Sequence, residues 1–436
     1  MSTSSSTTGR RARAQLAEQP NILIILTDDQ RADEESMAVM PKTRRIFGNN
    51  GTSFDNAVAT TPLCCPSRAS IFSGKYMHNH SIRRNSDGAG YNATDSIQRE
   101  LGEAGYLRGY AGKYLSFWEK DPPFWDRWAM QRGFKRDGFF DTPFNVDGHK
   151  VNANQYSTTF VGNKTIDFMK AFEKEDDTPW LLYVAPFAPH KPAQPQSKYA
   201  DAKLPRWKKT PAFYERGKEL RDKPKIIRTQ DTSVHDVERI RKNQLRSLMS
   251  VDDIVGRIFK TMDSLGEDNT LSIFMSDNGF LWYEHTLEGK RHPYSPSVRI
   301  PLYMRWPGHV AEGASPERIV ANIDVAPTVY EAAGVQPSYV VDGRSLFQTM
   351  PTRDRILIEY TKEDVGVHAT SYSGLWSPFS KYTEYDNGFR EYYETEDRHE
   401  LENLLHNGNP DDDPAIIPQL SATLGLYKNC AGASCP

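Results

Sequence analysis

Two short pairs of acidic or amide residues in this sequence follow apolar runs and are candidates for metal binding. The pair Asp28–Asp29 follows Asn21–Thr27, and the pair Asp277–Asn278 comes shortly after Thr270–Met275. Such runs are typical of buried parallel strands, and α/β sheets bind ligands at the C-terminal ends of their strands. Carboxylate and amide oxygens suit a hard cation such as calcium or magnesium rather than zinc. One pair alone would indicate a turn or helix cap, but two pairs at strand ends favour a metal site.

The run from Cys64 to Arg68, which reads CCPSR, adds a candidate nucleophile. Pro66 and Ser67 fit the first turn of a helix, and a cysteine at a helix N-terminus is expected to have a lowered pKa. Adjacent Cys64 and Cys65 cannot bridge each other without strain. The cysteine pair therefore needs an explanation other than a disulfide.

This run resembles the C-x-P-S-R signature of the type I sulfatases and continues, as in that family, through a small-residue helix to Gly74 and Lys75. Further family elements follow in the same order, so that the resemblance covers about residues 20 to 408: Gly112–Leu115, Ala188–Pro192, Ser276–Gly279, Gly289–Lys290, Asp324–Thr328, Asp342–Leu346 and Glu400–Leu404. Any one element is weak, but the ordered set is specific. The sequence is therefore identified as a member of this family.

The resemblance implies a chemical modification of Cys64, with Cys65 as the variable position of the signature. A separate formylglycine-generating enzyme would oxidise Cys64 to formylglycine. In the family's mechanism the hydrated aldehyde carries two hydroxyls on one carbon. One attacks sulfur and displaces the alcohol, and the other expels sulfate as the aldehyde forms again. A serine or an unmodified cysteine would remain trapped as a covalent ester.

The resemblance also implies site residues. A calcium ion is expected among oxygen-bearing side chains, with the modified cysteine beside it: Asp28, Asp29, Asp277, Asn278 and Cys64. The expected catalytic residues are Cys64, Arg68, Lys113, His190 and Lys290. The calcium ion would take a sulfate oxygen, and Arg68 would hold the formylglycine hydroxyl. Lys113 and Lys290 would hold sulfate oxygens as point charges. His190, with Lys290, would protonate the leaving alcohol.

One element departs from the common family pattern. Many sulfatases have Trp-His after the lysine of the Gly-Lys element, whereas Tyr114 and Leu115 follow Lys113 here. This version resembles the subgroup that acts on N-acetylglucosamine-6-sulfate and on 6-O positions of heparan sulfate. Three basic residues are expected to contact substrate: Lys75, His80 and His285. The two histidines are also candidates for the missing base. His78 is an alternative to His80, and for both an ordinary surface position is an equal alternative. For Lys75, support of its loop is the favoured alternative to substrate contact.

The expected activity is hydrolysis of sulfate monoesters, on a sulfated sugar such as N-acetylglucosamine-6-sulfate. Aryl sulfates are an alternative substrate class. A phosphonate or phosphate ester hydrolase of the same fold is another alternative, because fold does not determine the reaction and some such enzymes share the signature. If Cys64 is never oxidised, the chain would be a protein that binds sulfated glycans without turnover.

The elements that must position these residues indicate an α/β protein. The resemblance implies an alkaline-phosphatase-like α/β/α sandwich with a central mixed sheet and a small C-terminal antiparallel sheet. We expect a disordered lead-in over residues 1–19, a catalytic domain over 20–345 and a C-terminal α+β subdomain over 346–436. In the C-terminal subdomain, short strands are predicted at Arg355–Tyr360, His368–Ser373, Lys381–Tyr385 and Glu391–Tyr393.

Two further segments lie within the predicted catalytic domain. A long helix is predicted between Ser233, as its N-cap, and Gly266, which stops it. The preceding residues 191–232 are rich in proline, lysine and arginine without a clean period. This segment is either a functional lid or a solvated charged loop.

Composition limits the function classes. The 436 residues carry a net charge of −3, which argues against a general nucleic-acid binder. No apolar run approaches the length of a membrane span. Cys430 and Cys435 are predicted to form a disulfide rather than remain free thiols, which suits an oxidising compartment. Secretion or the cell envelope is therefore expected, and the cytoplasm is the alternative because residues 1–19 contain no intact export signal.

Overall fold

The computed structural model describes residues 19–133, 138–175, 177–348, 353–362, 369–394, 396–406 and 410–436. The predicted lead-in lies outside the described residues apart from Gln19. The strands, in chain order, are β1 Asn21–Thr27, β2 Thr52–Ser53, β3 Ala57–Val58, β4 Leu107–Gly112, β5 Arg127–Gln131, β6 Pro143–Val146, β7 His149–Asn152, β8 Trp180–Ala185, β9 Thr270–Ser276, β10 Leu281–Trp282, β11 Glu288–Gly289, β12 Leu302–Arg305, β13 Val320–Ala321, β14 Ile356–Tyr360, β15 Tyr372–Trp376, β16 Ser380–Tyr385 and β17 Arg390–Glu394.

The α-helices are α1 Glu34–Ala38, α2 Pro41–Thr43, α3 Cys64–Ser73, α4 Met77–His80, α5 Ile97–Glu103, α6 Ser157–Phe172, α7 Lys225–Arg228, α8 Val234–Leu265, α9 Ser295–Val298, α10 Val325–Ala333 and α11 Ile417–Tyr427. A π-helical turn, Arg44–Asn49, continues α2. The bounds predicted for the long helix are confirmed, because the Ser233 hydroxyl caps α8 and Gly266 ends it at a φ of 84°. Among the described residues, no helix is both long and apolar enough to cross a membrane.

A mixed sheet of nine strands lies at the centre of the described structure, in the order β2-β12-β9-β1-β8-β4-β5-β6-β7. The central strands β9, β1, β8, β4 and β5 run parallel to one another. The strands at both edges run antiparallel to their neighbours. This arrangement confirms the predicted mixed central sheet.

The side chains of β1 alternate between the two helical layers that cover the sheet. Ile22, Ile24 and Leu26 pack in the same core as residues of α3, α5 and α10. Leu23 and Ile25 pack in the other core, with residues of α6 and α8. Burial on both faces explains why this strand is a continuous apolar run, and it makes the fold an α/β/α sandwich.

The C-terminal strands β14 to β17 form the predicted small antiparallel sheet. Its core includes α11 and the disulfide between Cys430 and Cys435, which confirms the expected pairing. The prediction of a strand at His368–Ser373 is wrong in position, because β15 begins at Tyr372 and crosses Gly374. Residues 363–368 lie outside the described part of the chain. The boundary predicted after residue 345 remains a prediction.

The segment 191–232 packs against the folded chain through several short turns. Phe213, Leu220 and Ile227 are buried. Lys223 is fully buried, and its ammonium group donates to Asp222 and to the carbonyl of Leu401. These anchored parts do not fit a solvated charged loop, whereas a role as a lid remains a prediction.

Gly112 ends β4 where only a glycine can be accommodated. Its φ is +121°, and a Cβ at this position would lie 1.9 Å from the carbonyl oxygen of Ala185 on β8. The next residue, Lys113, donates its backbone N–H to the same carbonyl at 2.8 Å. The close approach of the two strands therefore sets the position of Lys113 at the edge of the sheet.

Replacement of this glycine should destabilise the fold. We expect Gly112→Ala to lower the free energy of unfolding by about 3 kcal/mol or more, because a strained φ and overpacking add together. Gly388, which has a φ of +83° and open space around it, is the matched control. Gly388→Ala should cost only about 1 kcal/mol. Denaturant unfolding of both variants checks this, and equal losses would contradict the role of close packing.

Candidate active site

The strand ends bring the predicted acidic side chains together. β1 and β9 are parallel neighbours that pair Thr27 with Ser276, so the residues after them emerge side by side. Carboxylate oxygens of Asp28, Asp29 and Asp277 all lie within 4.8 Å of one another, and all three residues are buried. We call this group, with Asn278, the acidic cluster.

Hydrogen bonds hold the acidic cluster in place. Asp29 adopts a φ of 68°, and its backbone N–H donates to Asp277 Oδ1 at 3.1 Å. Asn278 donates from Nδ2 to Asp29 Oδ1 at 2.8 Å, and its Oδ1 lies 3.3 Å from Lys290 Nζ. Three carboxylates and one amide oxygen form a donor set that fits a hard cation.

Cys64 is the first residue of α3 and faces the acidic cluster. Its Sγ lies 3.4 Å from Asp28 Oδ1 and 2.7 Å from Lys290 Nζ. Burial, with the Asp28 charge, raises the pKa of the Cys64 thiol to about 12. The expectation of a lowered pKa is therefore wrong, because desolvation outweighs the helix N-terminus and the nearby lysines. As an unmodified cysteine, this residue is a protonated thiol at neutral pH.

Three buried cations balance the three carboxylates. Arg68 donates from Nε to Asp277 Oδ2 at 2.9 Å and from a terminal nitrogen to the carbonyl of Lys113 at 2.7 Å. Lys113 donates to Asp28, and Lys290 donates to Asp29. Each cation comes from a different element, and the pairing stabilises charges that would otherwise be costly to bury.

The charges of these groups follow from the pairing. Burial would raise the pKa of Asp28, but Lys113, His190 and Arg68 together lower it to about 2. Burial would lower the pKa of Lys290, but Asp29 and the Cys64 sulfur raise it above its usual value. Both groups are therefore ionised at neutral pH, which leaves anions and fixed cations around the Cys64 sulfur.

His190 is where the cluster meets solvent. Its Nε2 lies 3.7 Å from Asp29 Oδ2, and its ring packs on Phe187 at a centroid distance of 4.6 Å. The His190 side chain is 29% exposed, whereas those of Lys113 and Lys290 are 3% and 5% exposed. Burial lowers the pKa of His190, and Asp28 and Asp29 oppose that change.

The three predicted substrate-binding residues make their polar contacts elsewhere. Lys75 pairs with Asp95 at 2.5 Å, and His80 lies 3.0 Å from Ser70 Oγ. Both line a separate cleft of about 640 Å³ beyond the C-terminal end of α3, whereas Cys64 begins that helix. Burial lowers the pKa of His80 to about 3, so this imidazole is neutral. Substrate binding by Lys75 and His80 remains a prediction.

His285 lies in the loop that carries Lys290. Its Nδ1 is 2.5 Å from Glu215 of the 191–232 segment, and its ring packs on Tyr294. Four non-glycine residues of this loop have a positive φ: Tyr283, His285, Thr286 and Arg291. Such backbone is kept only when its surroundings determine it, and the contacts of His285 do so here. Its proposed contact with substrate remains a prediction.

The hydrogen bonds that support the cluster from behind were not predicted from the sequence. Tyr110 on β4 donates its hydroxyl to the carbonyl of Lys113, and Ser67 donates to the carbonyl of Asp277. Asn322 in turn donates from Nδ2 to Ser67 Oγ at 2.9 Å. A tyrosine in the strand that ends at Gly112 was the available signal for Tyr110, whereas Asn322 is more than 250 residues from its partner and gave none.

The comparisons with known proteins agree with this geometry. Residues 20–335 match the family model "Sulfatase", and residues 283–412 match "N-sulphoglucosamine sulphohydrolase, C-terminal". The chain is 32% identical over 356 residues to an extracellular sulfatase SULF-1 homologue of Drosophila melanogaster, a match that covers 77% of this chain and 32% of that one. The chain thus spans about a third of the length of this relative.

Two further comparisons concern sugar sulfates. The human N-acetylglucosamine-6-sulfatase is 27% identical over 494 residues, covering 95% of this chain and 86% of the human protein, which confirms the predicted similarity to that subgroup. A solved structure of a protein with its substrate D-glucosamine-2-N,6-O-disulfate has a TM-score of 0.84 at 22% identity, covering 94% of this chain and 97% of that one. This likeness confirms the fold. Because the family match runs through every element of the acidic cluster and over most of the chain, this protein belongs to the sulfatase family.

Proposed function

We propose that this protein hydrolyses sulfate monoesters on a sulfated sugar, with N-acetylglucosamine-6-sulfate as the substrate class. One observation carries the proposal: the Cys64 sulfur lies 2.7 Å from Lys290 and 3.4 Å from Asp28, inside a buried cluster of anions and fixed cations. The similarity to the human N-acetylglucosamine-6-sulfatase supports the sugar as substrate. The activity of this chain therefore rests on the position of Cys64.

Lys113, Lys290, Arg68 and His190 would each have a different role around a bound sulfate. Lys113 and Lys290 place two ammonium groups beside Cys64, where they would stabilise negative charge that develops on sulfate oxygens. Arg68 fixes Asp277 and the Lys113 backbone, and would hold the nucleophile's hydroxyl. His190 stands on the open side of the cluster, where the alcohol would leave, and would donate a proton to it.

Two groups that the family implies fit the residues present. Asp28, Asp29, Asp277 and Asn278 would hold a calcium ion, which as a Lewis acid supplies charge stabilisation on a sulfate oxygen. Formylglycine at Cys64 supplies, when hydrated, a nucleophilic hydroxyl and a second hydroxyl that allows sulfate to leave. A formylglycine-generating enzyme is the partner that this modification requires. The high pKa of the Cys64 thiol supports the need for modification, because an unmodified thiol here is a poor nucleophile.

We propose secretion, or placement in the cell envelope, for the mature protein. The Cys430–Cys435 disulfide suits an oxidising compartment. The similarity to an extracellular sulfatase of Drosophila melanogaster supports the same location. Binding of sulfated glycans without turnover is the alternative if Cys64 remains a thiol.

The modification is tested by mass spectrometry of tryptic peptide 46–68 from protein produced together with a formylglycine-generating enzyme. We expect the peptide to lose about 18 Da at Cys64, because oxidation replaces the thiol-bearing CH₂ with an aldehyde. Cys65→Ser should keep this loss, and Cys64→Ala should abolish both the loss and turnover. A free thiol at Cys64 in protein that still hydrolyses sulfate esters would contradict the proposed nucleophile.

The role of His190 is tested by the leaving group of the substrate. His190→Ala should lower kcat for N-acetylglucosamine-6-sulfate by about 100-fold or more, because a sugar alcohol must be protonated as it leaves. Turnover of 4-nitrophenyl sulfate, whose phenolate leaves without a proton, should fall much less. His149→Ala, which removes an exposed histidine from β7, should change neither rate. Equal losses on both substrates would argue against His190 as the proton donor.

The calcium site is tested by thermal unfolding, independently of activity. Calcium at 100 times its Kd should stabilise metal-free protein by about 2.7 kcal/mol and raise its Tm. Asp277→Asn, which removes one carboxylate of the acidic cluster, should largely abolish that rise. Asp95→Asn, which removes a carboxylate that pairs with Lys75 in the separate cleft, should keep it. An Asp277→Asn variant that calcium stabilises as well as the wild type would disprove this ligand.

A further inference from the structure

A cleft with a strong positive charge lies along α8, formed with residues around α2, the 191–232 segment and the end of β12. Its volume is about 890 Å³. Its lining contains two carboxylates, Asp253 and Asp263, and six basic side chains: Lys42, Arg45, Lys198, Arg257, Lys260 and Arg305. The whole chain has a net charge of −3. The excess of four positive charges is therefore a local feature of this basic cleft.

Part of this charge is compensated within the cleft. Asp253 accepts from Lys42 at 2.5 Å and also from Lys198. Burial would raise the pKa of Asp253, but its hydrogen bonds with Lys198, Lys42 and Tyr199 lower it to about 2. One carboxylate shared by two ammonium groups leaves the cleft positive.

Two of the cations make no such pair. Arg45 and Lys260 are exposed, and within the described residues neither side chain forms an ion pair or a hydrogen bond. Arg305 lies over the ring of Phe259, and among the described residues it forms no ion pair with a carboxylate. An array of cations at a concave surface is suited to a ligand that carries several anionic groups.

One stretch of backbone, residues 190–198, runs from the acidic cluster to the basic cleft. His190 approaches Asp29, and eight residues later Lys198 donates to Asp253 in the cleft. Between them, Gln194 accepts at its carbonyl from the Tyr156 hydroxyl at 2.7 Å. Eight residues span at most about 28 Å when fully extended. His190 and Lys198 are therefore no more than about 28 Å apart, a distance that a long linear ligand can span.

We propose that the basic cleft is a second binding site, for the sulfate and carboxylate groups of a long sulfated glycan whose reacting sugar occupies the acidic cluster. The cleft then makes a polymer a better substrate than a single sulfated sugar, because a second contact on the same molecule raises the effective concentration of the first. This inference rests on the proposed function for the identity of the reacting group.

A sulfated glycan fits the basic cleft better than a nucleic acid does. Single-stranded nucleic acids bind through cationic grooves that also offer aromatic faces for base stacking. In the lining of the cleft the aromatic residue is Phe259, which is 4% exposed and covered by Arg305. Tyr199, which hydrogen-bonds to Asp253 beside the cleft, has the Lys198 ammonium group over its ring. The cleft therefore presents charge rather than aromatic faces that could stack on bases.

The test compares the double variant Arg45→Ala/Lys260→Ala with a control pair on α8, Arg239→Ala/Lys242→Ala. The control side chains are also exposed cations, and each pairs with a carboxylate on the same helix. We measure kcat/KM for N-acetylglucosamine-6-sulfate and for heparan sulfate chains, and the sodium chloride concentration that elutes each protein from heparin.

We expect the cleft variant to lose about tenfold or more in kcat/KM for the polymer, to keep its rate on the monosaccharide, and to elute from heparin at lower salt. The control pair should retain wild-type values. Equal losses on both substrates, or a cleft variant that matches the control on the polymer and on heparin, would overturn the proposal. A single-stranded DNA that binds as tightly as heparin through the same two residues would assign the cleft to nucleic acid and overturn it as well.

Failure of the proposed function is distinguishable from failure of this inference. Wild-type protein with verified formylglycine that hydrolyses neither substrate contradicts the sulfatase activity. The salt concentration for elution from heparin then tests the second binding site independently of any activity. Elution of the cleft variant at the salt concentration of the wild type rejects the second site, whatever the reaction.

Discussion

Three carboxylates buried within 4.8 Å of one another are the constraint on which the rest of this structure depends. Carboxylates this close together and this well buried from water would take up protons unless opposite charges compensate them. Arg68, Lys113 and Lys290 provide that compensation. They come from the first half of a helix, the end of a strand and a distant loop, so the fold must bring three separate elements to one edge of the central sheet.

The close packing around this edge follows from that requirement. A Cβ on Gly112 would meet the carbonyl of Ala185, and one on Gly279, directly after the acidic cluster, would lie 2.2 Å from the carbonyl of Pro296. The loop that delivers Lys290 has several positive φ values and is held by the contact between His285 and Glu215. Backbone strain and close approach are thus concentrated where the compensating cations must arrive.

The sequence predicted those parts of the site that depend on local order. Asp28 and Asp277 could be predicted because apolar strands precede them and parallel strands end at one edge. Lys113 and Lys290 could be predicted only through resemblance, because their partners are distant in the chain. Lys75 was likewise expected to contact substrate only through the family resemblance. Nine helical residues and Gly74 lie between Cys64 and Lys75, so the two residues lie at opposite ends of α3.

Burial was the physical effect that sequence reasoning underestimated, and it has two consequences. It raises the pKa of Cys64, because the hydration free energy that a buried thiolate loses exceeds the stabilisation that the nearby lysines provide, and because Asp28 repels its charge. A neutral group at the same position would carry no such cost, so an environment that disfavours a cysteine nucleophile is compatible with an aldehyde. Burial also encloses the cluster, because His190 is the most exposed of the described residues that form it or pair with it. A cluster this enclosed contacts little of a large substrate beyond the group that reacts, so discrimination among large substrates must come from surfaces outside it. The segment that begins after His190 leads to the basic cleft, which makes this cleft a candidate for such a surface.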